Sequence, residues 1–222
     1  MHKKISLFVC LLFSFSMVFA QEELSEGILV YDITITGKVP TPANEPAITE
    51  AKSGTLTIYL KDDNVRQDIT LEDGYKYSRI SNYTTEKDMI LQTVNTIKYA
   101  IEVSMREERK KNAAYLNAAL EMGKGQKKIG SFDAKEGILR YKDGSAFTLY
   151  YLDQYELKHP EVFEHSPELK GIPAQFDIPM SNGFTTHFSL KTISQEPVAN
   201  TAFRIPEGYR VISRKEYEKL IR

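Results

Sequence analysis

Residues 55–70 read TLTIYLKDDNVRQDIT. Apolar and polar residues alternate on both sides of Asp62-Asp63-Asn64, and those three residues are typical of a tight turn. A period of two places every second side chain on the same face of a sheet. This stretch therefore predicts a β-hairpin with strands at 55–61 and 64–70.

The same alternation continues before and after this hairpin. Leu29, Tyr31, Ile33 and Ile35 form a row before it. After it come the alternating segments 75–80, 89–94 and 97–103, with short turns between them. Six successive strands of this kind predict an antiparallel meander.

One long connection interrupts the meander. Residues 37–53 contain Pro40, Pro42 and Pro46. Proline cannot donate a hydrogen bond to a strand ladder, so this segment is predicted to be a loop.

The period changes after residue 103. Residues 104–122 are strong helix formers followed by Gly123, which predicts a helix of about five turns. Further strands are predicted at 128–132, 137–142, 146–152, 172–178 and 184–193.

Two shorter helical segments are also predicted. Pro160 to His165 favours a single helical turn, with Pro160 at its first position. Ser213-Arg214-Lys215-Glu216 is a capping-box sequence and predicts a short helix that reaches Ile221. The expected fold class is mainly β (α+β): about eleven strands in one curved antiparallel sheet, with one long inserted helix and a short C-terminal helix.

The first twenty residues have the parts of a secretory signal peptide. A basic start precedes an apolar run over 5–19, and Val18-Phe19-Ala20 offers small residues for cleavage before Gln21. The mature domain is then 21–222, with no transmembrane segment left after cleavage. Phe8-Val9 lacks the small residue that lipoprotein processing needs, so we expect a periplasmic or secreted protein that is not a lipoprotein.

Cysteine content and charge exclude several classes of function. Cys10 is the only cysteine and lies in the predicted signal peptide, so no disulfide, thiol nucleophile or cysteine-bound metal is expected in the mature chain. The 29 basic residues do not outnumber the 30 acidic ones. Without a basic excess, neither nucleic acid nor an anionic membrane surface is expected as a partner.

Few residues suggest catalysis. His159, Glu161, Glu164 and His165 form the one cluster of imidazole and carboxylate groups, but a zinc site needs three or four converging ligands and the usual histidine spacing is absent. A metal-dependent hydrolase built on His159, Glu161 and His165 is therefore the weakest hypothesis. We predict no enzyme activity, no metal and no cofactor. His187 has the parity of the polar face of its strand, which favours a surface histidine.

Aromatic residues are the other notable feature. The chain has 13 tyrosines and 11 phenylalanines but no tryptophan, and many of them lie on predicted strands. Strand propensity alone explains such rings as sheet packing. The functional alternative is an apolar lining for a ligand.

Three short segments carry a resemblance to a known family: GILVY at 27–31, LKGIP at 169–173 and FRIPEGY at 203–209. Their layout resembles the uncharacterised secreted envelope proteins related to the LolA/LolB-like superfamily of lipoprotein carriers and acceptors. The resemblance spans nearly the whole mature chain. It implies structural roles: turns at the glycines, and closure of the barrel's end by the aromatic residues. The matched positions are Gly171, Pro173, Phe203, Pro206, Gly208 and Tyr209.

The resemblance also implies an unclosed half-barrel around a helical lid, with an interior that holds acyl chains. Arg66 and Arg79 are the candidates for the arginine by which the carriers lock their lid. The leading hypothesis is thus a non-enzymatic envelope protein that binds a lipid or a lipidated protein. The candidate lining residues are Leu29, Ile33, Leu56, Ile58, Tyr99 and Ile101.

The same rows are equally compatible with a sealed core. The second hypothesis is accordingly a structural or interaction module, filled by its own side chains, that meets an envelope protein partner.

Overall fold

The computed structural model describes residues 21–39, 48–111, 113, 118–180 and 183–221. Within these residues, the α-helices are α1 (Met105–Lys111) and α2 (Arg214–Leu220), and short 3-10 helices lie at Pro160–Val162 and Asn200–Phe203. The strands are β1 (Glu22–Leu24), β2 (Glu26–Val39), β3 (Ile48–Lys61), β4 (Asn64–Leu71), β5 (Lys76–Asn82), β6 (Lys87–Val94), β7 (Ile97–Ser104), β8 (Ala119–Ile129), β9 (Phe132–Arg140), β10 (Ala146–Leu152), β11 (Tyr155–Leu157), β12 (Ile172–Pro179), β13 (Phe184–Ser194) and β14 (Arg210–Ser213).

Twelve of these strands form one sheet, in the order β14-β7-β6-β5-β4-β3-β2-β13-β12-β10-β9-β8. Neighbouring strands are antiparallel except β14, which runs parallel to β7. β1 and β11 form a separate parallel pair. In the part of the chain that is described, the sheet does not close, and β14 and β8 are its edges. The mainly β class is confirmed, but the sheet is mixed rather than purely antiparallel.

One face of the sheet, here called the inner face, carries the main core. Leu29, Tyr31 and Ile33 of β2 lie on this face and are at most 2% exposed. They are covered by residues 153–171, the connection between β10 and β12, which we call the cap segment. Val162, Phe163 and Leu169 of the cap segment are buried in the same hydrophobic cluster. Each side chain buried in this way contributes roughly 1.5–3 kcal/mol.

The opposite, outer face is covered over β5 to β7 by the connection from β13 to β14. β13 and β14 run in the same direction, so the chain between them must cross back over the sheet. Phe203, Ile205 and Tyr209 of this connection pack on apolar residues of β5, β6 and β7. Because of this crossing, β14 lies at the edge of the sheet beside β7 and runs parallel to it.

The predicted helix at 104–122 is confirmed over 105–111 and wrong over 119–122, while residues 112 and 114–117 lie outside the described residues. α1 ends at Lys111, and residues 119–129 form β8, which pairs with β9. Tertiary pairing overrides helix propensity here. Gly123 suits the strand because a Cβ at that position would lie 2.3 Å from Glu136 Oε2.

Several strand boundaries also differ from the prediction. β2 extends to Val39 and β3 begins at Ile48, so both ends of the predicted loop at 37–53 belong to strands. Pro40, Pro42 and Pro46 lie outside the described residues. The predicted strand at 128–132 spans the turn between β8 and β9.

The C-terminal prediction is confirmed. Ser213 caps α2: its side chain accepts from the Glu216 backbone N–H, while the Glu216 side chain accepts from the Ser213 backbone N–H. Among the described residues, no helix has the length and apolar character needed to cross a membrane. The predicted signal peptide, residues 1–20 with Cys10, lies outside the described residues.

Candidate functional site

A cavity of about 210 Å³ lies between the inner face and the cap segment. Strands far apart in sequence supply its walls, because β3, β4 and β5 lie on one side of β2 in the sheet and β13, β12 and β10 on the other. Its apolar lining residues are Leu56, Ile69, Phe147, Val162, Phe163, Phe176, Ile178 and Phe188. Its polar lining residues are Gln67, Tyr77, Arg79, Glu164, His165 and Ser166. We call it the apolar cavity.

A cluster of aromatic rings fills the space beside this cavity. Phe176 stacks on Phe188 with ring centroids 4.7 Å apart, and Phe163 contacts both Tyr31 and Phe176 edge-on at 6.0 Å. Tyr31 donates its hydroxyl hydrogen to the carbonyl of Pro173 at 2.8 Å. Burial raises the pKa of Tyr31 well above its usual value, so this hydroxyl stays neutral. The rings therefore form a fixed, uncharged wall.

Polar contacts fasten the cap segment to the sheet. Gln67 Nε2 donates to the carbonyl of Val162 at 3.1 Å, and Tyr141 donates its hydroxyl hydrogen to the carbonyl of His165. Arg79 forms an ion pair with Glu164. These contacts come from β4, β5 and the end of β9, so the cap segment is held from both sides of the cavity.

Arg79 is also bound from within the sheet. Its Nη2 donates to Asp88 Oδ2 at 2.6 Å, and Ser81 Oγ donates to Asp88 Oδ1 at the same distance. Asp88 is completely buried. Burial disfavours the charge of Arg79, but Asp88 and Glu164 outweigh it and raise the pKa of the guanidinium above its usual value. At neighbouring Tyr77, burial disfavours the negatively charged form of the hydroxyl and raises its pKa to about 12.

A smaller cavity of about 60 Å³ adjoins the first and has five charged residues in its lining, so we call it the polar cavity. Arg79 and Glu164 line both cavities. The remaining lining residues of the polar cavity are Tyr83, Met105, Glu108, Arg109, Glu161 and Pro167. The Arg79–Glu164 ion pair thus belongs to the lining of both cavities.

An open groove of about 330 Å³ lies further along the inner face. Leu71 of the groove is two residues beyond Ile69 of the apolar cavity on β4, and Met180 is two residues beyond Ile178. Residues two apart on a strand share a face and are about 7 Å apart. The apolar surface therefore continues from the cavity into the groove.

Of the six predicted lining residues, Leu56 lines the apolar cavity. Leu29, Ile33 and Ile58 are sealed in the main core instead. Tyr99 and Ile101 belong to a separate cluster with Ile212 and Tyr217, near the β14 edge. Most of the lining comes from β12, β13 and the cap segment. For β12 and β13, the alternation that includes Phe176, Ile178 and Phe188 could have identified the lining residues from the sequence. The cap segment has no such period, so its lining residues could not be predicted in this way.

The positions of the family resemblance have structural surroundings. A Cβ at Gly171 would lie 2.7 Å from the carbonyl oxygen of Leu152, so the chain passes too closely there for a side chain. Gly208 has a φ of 83°, which favours glycine. The expectation that Phe203 and Tyr209 close the barrel's end differs from the structure, since both pack on the outer face. Pro173 accepts the Tyr31 hydrogen bond, and Pro206 is exposed.

The two arginine candidates differ in role. Arg79 binds the cap segment through Glu164, whereas Arg66 binds Asp68 and the carbonyl of Ala202 on the outer-face connection.

The three histidines among the described residues do not converge. His159 stacks on Tyr83 at 3.9 Å and contacts Asp63, while His187 lies between Thr36 and Asp177 on the outer face. His165 lines the apolar cavity, and burial lowers its pKa. Over the described ranges, no three His, Cys, Asp or Glu side chains are grouped as metal ligands.

Comparisons with known proteins give structural likeness alone. No model of a known protein family and no curated protein matches the sequence. An uncharacterised conserved protein from Thermus thermophilus is 12% identical, with a TM-score of 0.47 over 86% of this chain and 92% of its own. PNGF-II is 8% identical, with a TM-score of 0.43 over 87% of this chain, which spans 32% of that protein.

A third similar structure belongs to the superfamily that the sequence resembles. It is the LolA superfamily protein NE2245 from Nitrosomonas europaea, 8% identical, with a TM-score of 0.35 over 84% of this chain and 94% of its own. All three TM-scores are below 0.5, so the function of this chain has to be argued from its own residues.

Proposed function

We propose that this protein is a non-enzymatic, exported envelope protein that binds one apolar ligand, a lipid or the acyl group of a lipidated protein, in the apolar cavity. The observation that supports it is the cavity itself: eight apolar side chains surround about 210 Å³ beneath a cap segment. Export rests on the signal-peptide pattern of residues 1–20. The mass of the secreted or periplasmic protein tests that part, since cleavage before Gln21 fixes the expected value.

The size of the cavity limits the ligand. A cavity of about 150 Å³ lined by aliphatic and aromatic side chains is enough to hold benzene. The present cavity is moderately larger, so it suits one ring or the end of one acyl chain. Each methylene that leaves water contributes about 0.8 kcal/mol. A longer chain would continue into the open groove past Ile69 and Leu71.

A specific observation favours a second candidate, the structural or interaction module. The rings of Tyr31, Phe163, Phe176 and Phe188 already fill much of the space under the cap segment. In that case the cavity is only a packing defect that the core side chains leave unfilled, and the protein's partner is another envelope protein. Binding measurements distinguish the two candidates.

The test replaces a lining residue on β4 with a larger one that occupies the cavity. Ile69 is half-buried and lines the cavity, so Ile69→Trp places a large ring inside it. We expect this variant to bind toluene, a neutral probe with a single ring, at least tenfold more weakly than the unaltered protein in calorimetric titration. Ile193→Trp is the matched control, because Ile193 is equally half-buried but packs elsewhere on the main core.

Equal probe binding by both variants, with unchanged melting temperatures, would contradict ligand binding in this cavity. Native mass spectrometry of protein purified from its own envelope adds a second test. A stoichiometric acyl species is expected, and a ligand-free mass supports the module instead.

A further inference from the structure

Tyr77 of β5 lies on the inner face, in a row of residues that line the apolar cavity. Leu56 on β3 is directly opposite Ile69 on β4, and Ile69 is directly opposite Tyr77. Residues directly opposite each other on neighbouring antiparallel strands have their side chains on the same face of the sheet. All three residues line the apolar cavity, and Tyr77 is the polar member of the row.

The hydroxyl of Tyr77 forms no hydrogen bond with any residue that the structure describes. Its pKa is raised chiefly by burial, and the other influences on that pKa are nearby charges rather than hydrogen bonds. In contrast, the hydroxyls of Tyr31 and Tyr141 donate to the carbonyls of Pro173 and His165. Because the hydroxyl of a buried tyrosine usually has such a partner, the unpaired donor of Tyr77 requires an explanation.

The same hydroxyl is open to a small molecule. Among the described side chains that are not exposed, the atoms that are both closed off from solvent and unpaired are Arg79 Nε and Glu161 Oε2. The unpaired Tyr77 hydroxyl does not belong to this group, so a molecule as small as water can reach it. Burial dominates its pKa, so the space beside it lies within the protein. Of the two cavities and the groove, the apolar cavity is the one that Tyr77 lines.

Two other donors in the lining of this cavity are already bound within the protein. Gln67 Nε2 donates to the carbonyl of Val162, and the terminal nitrogens of Arg79 donate to Asp88 and Glu164. Both residues thereby hold the cap segment in place. Tyr77 can donate a hydrogen bond to a ligand without disturbing any of these contacts.

The chemistry of a phenol indicates which group the ligand carries. With a pKa of about 12, the Tyr77 hydroxyl keeps its hydrogen at neutral pH and can donate it. A wholly apolar ligand would remove water from this donor and leave it unpaired, which weakens binding. A carbonyl oxygen needs only a donor, whereas an alcohol would bring a further donor that must itself be paired. A site with one such donor discriminates against analogues that lack the matching acceptor.

We propose that the ligand of this protein is an apolar molecule with a carbonyl oxygen, as in an ester or a ketone, which accepts a hydrogen bond from Tyr77 in the apolar cavity. The inference rests on the proposed function and specifies the chemical class of its ligand. It assigns Tyr77 as the residue that distinguishes acyl compounds from hydrocarbons, while the aromatic rings beside the cavity contact the apolar part.

The experiment compares two neutral probes of nearly equal shape, acetophenone and α-methylstyrene, by calorimetric titration of the mature protein. A methylene group in the second replaces the carbonyl oxygen of the first. Tyr77→Phe removes the hydroxyl alone, and we expect it to weaken acetophenone binding about tenfold without weakening α-methylstyrene binding. Tyr75→Phe is the matched control, because Tyr75 is exposed and does not line the apolar cavity, and it should change neither affinity.

Thermal unfolding without ligand gives a second readout. Because the Tyr77 hydroxyl has no partner among the described residues, Tyr77→Phe should keep the melting temperature of the unaltered protein. A fall of more than about 4 °C would show that the hydroxyl is bound within the protein, and would contradict the assignment.

The titrations separate the two levels of the argument. If Tyr77→Phe weakens the binding of both probes equally, or of neither, the carbonyl assignment is wrong while the apolar cavity still binds ligands. If neither probe binds to the unaltered protein, the proposed function fails and the carbonyl assignment fails with it. Native mass spectrometry then distinguishes the two sources of such a carbonyl, because a lipid adds only its own small mass and a lipidated protein adds the mass of a polypeptide.

Discussion

Asp88 is completely buried on β6, and its carboxylate accepts hydrogen bonds from Arg79 and Ser81 at 2.6 Å each. Asp88→Asn preserves the shape of the side chain and one acceptor oxygen, but it removes the charge that faces Arg79. Removing one partner of a buried ion pair generally costs about 3–5 kcal/mol. Arg79 keeps Glu164 and is not completely buried, so we expect the free energy of unfolding to fall by about 2–3 kcal/mol, below the usual range for such pairs.

Equilibrium unfolding in urea, followed by circular dichroism, measures this loss. Asp32→Asn is the matched control, because Asp32 pairs with Lys191 at 3.0 Å and both side chains are more than half exposed. Such an exposed pair contributes at most about 1 kcal/mol. If Asp88→Asn were no more destabilising than Asp32→Asn, the Arg79–Asp88 contact would not anchor the sheet beneath the cap segment as argued above.

Two further predictions concern the attachment of the cap segment. Hydrogen bonds from Lys158, His159 and Thr84 lower the pKa of Asp63 to about 2, so its stabilising contribution is complete above its usual pKa of 3.8 and is lost as the pH falls towards 2. Acid titration of stability should show this loss between about pH 4 and pH 2, and Asp63→Asn should remove that part of the pH dependence. Gly171→Ala forces a Cβ against the carbonyl of Leu152, and we expect a loss of about 1–3 kcal/mol in urea unfolding. An unchanged urea concentration at the midpoint of unfolding would show that the backbone around Gly171 shifts to accommodate the Cβ at little cost in stability.

Alternation in the sequence predicted the strands of the meander because their faces differ in burial. In β2, Leu29, Tyr31 and Ile33 are buried while Asp32 and Thr34 are exposed, which is the pattern that a period of two describes. The capping box at Ser213 was equally local, since its hydrogen bonds join residues three apart. Local patterns of this kind are visible without knowledge of the rest of the molecule.

The helix prediction at 104–122 is wrong at its C-terminal end, residues 119–122, because helix formers do not exclude a strand. The decisive partner of β8 is β9, and Glu136 of β9 accepts a hydrogen bond from the backbone N–H of Gly125. The lining prediction had a similar limit. Tyr99 and Ile101 have the same strand pattern as Leu56, but residues of the C-terminal region cover them, and the cap segment does not.

By itself, the sequence determined which segments become strands in the meander and which side of each strand is apolar, because period and composition act over neighbouring residues. The tertiary structure decided which apolar rows are sealed and which row borders a cavity. It also decided that Arg79, Asp88 and Glu164 meet, with Glu161 beside them. Those outcomes depend on the path of the cap segment over strands about 100 residues away in the chain, and no local pattern records that path.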